Sequence, residues 1–111
     1  MNKFLFLDKE MFNSNMMVVV NCSHIASVKY TDETITFVLA HGNEYSFNIR
    51  EIFPAISDAE VRYITKEIFC DFTRFWYGEC DDDYLEDCLE FVLYFRLKKA
   101  LDRAIMLSIR S

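Results

Sequence analysis

Glycine and proline are scarce, two and one among 111 residues. That scarcity, beside 52% apolar and 16% aromatic residues, excludes long linkers and a disordered chain, because the sequence has ample apolar surface to bury. It leaves little room for a phosphate-cradling glycine loop, and no Gly-x-Ser-x-Gly nucleophile elbow is present. No two of Cys22, Cys70, Cys80 and Cys88 have the two-residue spacing of zinc or redox pairs. The four read as buried thiols in a reducing compartment. A zinc site from Cys70, Cys80 and Cys88 with a distant His24 or His41 runs against the spacing rules, and no metal or cofactor is expected.

Positive charge is also short: 12 Lys and Arg face 18 Asp and Glu, a formal net charge of −6. An acidic chain is not drawn to nucleic acid or anionic membranes, whose phosphates need clustered cations. Proteins, basic ones among them, are the expected partners. Long apolar runs are missing as well. The tract from Phe4 to Leu7 is too short for a secretory signal, and "MMVVV" is far short of a membrane span. The expected location is the cytoplasm, and the expected organisation is one domain over residues 1–111.

What is present divides into two periodicities. "KFLFL" suits a short first strand, and "MMVVVN" a strand covered on both sides. Val28 and Tyr30, then Ile35, Phe37 and Leu39, then Tyr45, Phe47 and Ile49 fall on alternate positions. Asp32-Glu33 and His41-Gly42 sit between these runs as turns, so the expectation is an antiparallel meander of three to four strands. After Pro54 the period lengthens. Ser57 and Glu60 form a capping-box pattern with Ile56 and Val61 as its hydrophobic staple. Val61, Ile64, Ile68, Phe72, Phe75 and Trp76 then trace one helical stripe, with Gly78 as its stop. A second helix is expected from about Tyr84 to Leu107, apolar on many sides through Leu85, Cys88, Leu89, Phe91, Val92, Leu93, Tyr94, Phe95, Leu97, Leu101 and Ile105. The fold class is therefore α+β: an N-terminal sheet followed by two helices, the last long and apolar. So wide an apolar surface implies a sandwiched helix or a homodimer, with Leu93, Leu97, Leu101 and Ile105 as the oligomer interface.

Seven carboxylates, Glu79, Asp81, Asp82, Asp83, Glu86, Asp87 and Glu90, occupy "ECDDDYLEDCLE" without a cation. They are contiguous, so they do not converge on an ion from separate elements, and the window lacks the glycine and ligand periodicity of a calcium loop. Helix capping explains part of it, since acids suit the positive end of the helix dipole, and Arg96, Lys98, Lys99, Arg103 and Arg110 follow toward the other end. Cys22 and His24, at i and i+2 of a strand, would share a face as a nucleophile pair. No oxyanion site accompanies them, so the expectation is a protein without catalytic activity. What remains is a partner-binding surface: the acids above beside Trp76, Tyr77 and Tyr84, with rings as anchors and charge as steering toward a basic groove.

A small, acidic, glycine-poor domain carrying "ECDDDYLEDCLE" and no catalytic motif resembles the phage-encoded inhibitors of bacterial defence, anti-CRISPR proteins among them. The resemblance is one of overall character and transfers no functional residue. It implies a viral or mobile-element protein in the host cytoplasm that blocks a nucleic-acid-binding protein such as a CRISPR effector. The alternative is a structural module that oligomerises through its C-terminal helix.

Overall fold

The computed structural model describes residues 2–12, 14–78 and 89–110. Among the described residues six strands and three α-helices follow one another as β1 (Phe4–Leu7), β2 (Val18–Asn21), β3 (Ile25–Tyr30), β4 (Thr34–Leu39), β5 (Glu44–Asn48), α1 (Ile49–Ile52), α2 (Asp58–Tyr77), β6 (Glu90–Val92) and α3 (Leu93–Arg110). Single 3-10 turns at Lys9–Met11 and Cys22–His24 close the links after β1 and β2. This is the α+β class.

Strand alternation translates directly into β3-β4-β5, an antiparallel meander in which Ile35 pairs with both Tyr30 and Phe47. Ile35, Phe37 and Leu39 point into the core from β4, and Phe47 joins them from β5. The β4–β5 turn uses Gly42 at φ +98°, a conformation that residues with a Cβ rarely adopt. On α2 the capping box is complete: Glu60 N donates to Ser57 Oγ at 3.2 Å and Ser57 N donates to Glu60 Oε1 at 2.9 Å. The stripe Val61, Ile64, Ile68 and Phe72 is buried against the sheet, with Phe75 and Trp76 partly covered beyond it. Gly78 caps the end of the helix, where a Cβ would collide with the Arg74 carbonyl oxygen.

Three expectations need correction. The strands do not form one sheet. Leu5 of β1 pairs antiparallel with Val20 of β2 and parallel with Phe91 of β6, giving a separate sheet in the order β2-β1-β6. Nor is β2 covered on both sides, since Val20 is buried and Val19 faces solvent. The third concerns the long last helix. Residues 90–92 are extended, and α3 begins only at Leu93. Tyr84 to Cys88 lie outside the described residues. Part of the excess apolar surface thus belongs to a strand, where Phe91 is buried against the rings of Phe72 and Phe75. Helical spacing counts residues along the chain and is blind to a pairing partner as distant as β1.

One core joins the two sheets. Phe72 is its hub, edge-on to Phe37 of the meander at 5.0 Å and to Phe91 of the other sheet at 5.2 Å. α3 adds Leu93, Leu97, Ala100 and Ala104 to the core from a single face, so the helix is buried on one side only.

Candidate functional site

The described part of the expected partner surface gathers at the end of α2. Trp76 is half-buried against Phe72, with its ring 4.9 Å from that of Tyr77, and Tyr77 is 77% exposed. Lys3 reaches the same place. Its ammonium donates to the carbonyls of Phe75 and Gly78, both at 2.6 Å, so a cation sits on the negative end of the helix dipole. The surface is therefore less purely acidic than the sequence pattern implied. Glu90 is exposed on β6, opposite Phe4 of β1. Glu79, Asp81, Asp82, Asp83, Tyr84, Glu86 and Asp87 lie outside the described residues.

The expected oligomer residues are redistributed. Leu93 and Leu97 are fully buried in the chain's own core, Leu101 is half-buried, and only Ile105 is exposed. Leu93 and Leu97 cannot meet a partner without unfolding the domain, because the core beneath α3 needs them. The Cys22–His24 pair fails geometrically as well. The two residues fall in a 3-10 turn, Cys22 inward and His24 outward. Burial pushes the Cys22 thiol up to about 11, against a smaller opposing pull from Lys3. Among the described residues no group of three or more His, Cys, Asp or Glu side chains is placed to hold a metal ion.

A different concavity, with no signature in the linear sequence, combines the same two chemistries. The 3-10 turn after β1 carries Glu10 and Phe12; β5 carries Glu44, Tyr45, Ser46, Phe47 and Asn48; α1 carries Glu51; and the first turn of α3 carries Tyr94. Together they line an open cleft of about 640 Å³. Phe12 stands edge-on to Tyr45 and Phe47 at 6.1 and 5.8 Å, forming an aromatic floor. Glu10, Glu44 and Glu51 are exposed at its rim. Glu44 has one weak cationic neighbour, Lys29 at 3.8 Å, with both side chains largely in water. Beside Glu10, burial pushes the Asp8 carboxyl above its ordinary value; a hydrogen bond to its own backbone opposes this, and the Glu10 carboxylate adds to it. The outer edge of β5 is unpaired among the described residues, because β5 ends the order β3-β4-β5.

The chain matches no family model, no curated protein and no solved structure. Chemistry alone therefore has to say what the cleft accepts. Carboxylates around aromatic faces favour a cation with an apolar stem, and Arg and Lys side chains have that form. Glu44 and the alternation of Tyr45 and Phe47 were visible in the β5 pattern. Glu10, Phe12, Glu51 and Tyr94 come from separate elements and carried no local sign of convergence.

Proposed function

We propose that this protein is a non-catalytic protein-binding inhibitor that takes a basic segment of its target into the acidic, aromatic cleft between the Lys9–Met11 turn, β5, α1 and α3. The observation that carries the reading is that Glu10, Glu44 and Glu51 line one cleft with Phe12, Tyr45, Phe47 and Tyr94. Carboxylates steer and orient a cationic partner, while rings supply the contact area that holds it. The free edge of β5 supports an extended segment lying alongside it, adding main-chain hydrogen bonds to the side-chain contacts.

Basic segments that recognise an acidic surface are commonly those that hold nucleic acid, so the target class is a nucleic-acid-binding protein and the mode of action is competition for its basic face. A CRISPR effector in the cytoplasm of a phage host is one member of that class. The acidic window beyond Gly78 adds negative charge for long-range steering in this reading. The raised thiol of Cys22 and the outward position of His24 favour a protein without a nucleophilic site. No helix among the described residues is long and apolar enough to cross a membrane.

Titration with an oligoarginine peptide, followed by calorimetry, tests the cleft. Replacing Glu10, Glu44 and Glu51 together by Gln removes three exposed charges worth about 0.5 kcal/mol each, so affinity should fall about tenfold. The Asp81, Asp82 and Asp83 to Asn variant should keep most of the affinity, more so at higher salt. Equal binding by the cleft variant and the wild type would refute the assignment and return the interface to the acidic window.

A further inference from the structure

The face of α3 turned away from the core carries exposed apolar side chains among its charged ones. Phe95, Ile105, Met106 and Ile109 are 54%, 40%, 53% and 78% exposed. At 100° per residue they fall on the side opposite Leu93, Leu97, Ala100 and Ala104, together with exposed Lys98, Lys99 and Asp102. From Phe95 to Ile109 the stripe runs about 21 Å. Soluble domains seldom leave so long an apolar stripe on a helix without a partner. The three charges within it are also unspent: among the described residues Lys98, Lys99 and Asp102 form no ion pair, and the lysines rest only over the rings of Tyr94 and Phe95.

We propose that this face pairs with the same face of a second copy, the two α3 helices running antiparallel about a two-fold axis at Asp102. The spacing of the residues supports that occupant over an unrelated one, because the stripe is self-complementary about its middle. In this register Phe95 lies opposite Ile109 of the other copy at both ends, and Lys98 and Lys99 lie against Ile105 and Met106. Their apolar stems cover the aliphatic side chains. Each Asp102 then has the other copy's lysines about one helical turn away, about 4.5–6 Å along the axis and within reach of their ammonium groups. Two aspartates meeting at the axis are thus flanked by four lysines, which turns a like-charge contact into an ionic network. The residues used differ from the leucines buried under α3, so pairing requires no rearrangement of the core. The pairing is isologous and closes at two chains. It leaves the cleft free, since only Tyr94 at the start of α3 reaches that site.

Sedimentation equilibrium over a concentration series tests the association, and a cysteine placed at the axis tests the register. Packed helices lie about 8–10 Å apart, and subtracting two backbone radii leaves about 3.4–5.4 Å between Cα atoms facing each other at the axis, the upper part of which overlaps disulfide geometry. Asp102→Cys should therefore give a covalent dimer on mild oxidation, where the parent chain and Lys66→Cys, exposed on α2, do not. Phe95→Glu and Met106→Glu each place a charge in the paired face and should weaken the dimer about 100-fold or more, while leaving the circular dichroism of the monomer unchanged. A monomer at every concentration overturns the proposal and assigns the face to a different protein. A dimer that survives both glutamates, or that dissociates with them but is not cross-linked through position 102, overturns it as well.

Discussion

Phe72 offers the most direct quantitative check on the architecture, because one ring joins two sheets. Its side chain is fully buried and contacts Phe37 of β4 and Phe91 of β6 edge-on, with Phe75 and Trp76 at 5.9 and 5.8 Å. Truncation by Phe72→Ala removes the transfer energy of the ring and leaves a cavity between sheets that cannot both move in, so the cost should be about 3–5 kcal/mol. Domains of this size have a total stability of about 5–15 kcal/mol, so the variant should lose about a fifth of it or more. In urea, with a slope of about 1.5 kcal/mol per molar, the midpoint should fall by about 2–3 M. Phe72→Leu keeps most of the apolar volume and should cost about 1–2 kcal/mol. The sharper readout is the double-mutant cycle of Phe72→Leu with Phe91→Leu. An edge-on ring pair contributes about 0.5–1.5 kcal/mol beyond its buried area, and the cycle should return a coupling of that size. A loss below about 1 kcal/mol for Phe72→Ala would refute the hub by placing the ring outside a close-packed core. Zero coupling with Phe91 would separately refute the position of β6.

Local chemistry sets the remaining expected outcomes. Lys3→Met keeps the stem over Phe75 but leaves the carbonyls at the end of α2 without their cation; it should cost about 1–2 kcal/mol, read from thermal melts, and increase hydrogen exchange in the last turn. Ser57→Ala should destabilise by about 1 kcal/mol through loss of the N-cap. The backbone hydrogen bond from Ser57 holds the Glu60 carboxyl below its ordinary value, so its contribution is complete above the unfolded Glu range and is lost as pH falls through the lowered folded value; Glu60→Gln should flatten that acid limb of the stability profile. The Cys22 thiol should resist disulfide reagents in the native protein and react only on unfolding. Because its folded value lies at about 11 against an ordinary 9.0, stability should decline as pH rises through that window, and Cys22→Ala should remove the decline.

Local signals were legible where the chain interacts with its near neighbours. The alternation around Ile35, Phe37 and Leu39, the turn at Gly42, the Ser57–Glu60 box and the stripe of α2 all report contacts within a few residues, and each has its expected place in the fold. Phe91 and Val92 read as helix because their apolar spacing also satisfies a helical period; the parallel pairing with β1 that makes them a strand lies most of the chain away. Leu93 and Leu97 read as an interface because sequence reports that a residue is apolar and not which surface covers it.

The sequence by itself determined the α+β class, an acidic single chain rich enough in apolar residues to build a core, and the caps and turns that begin and end most elements. Only the tertiary structure decided that the strands divide into two sheets around Phe72, that Glu10, Glu44 and Glu51 line one cleft with Phe12, Tyr45 and Phe47, and which side of α3 is left uncovered. The reason is physical: propensity, capping and periodicity are set by neighbouring residues, whereas sheet membership, clefts and faces depend on which distant surfaces remove one another from water.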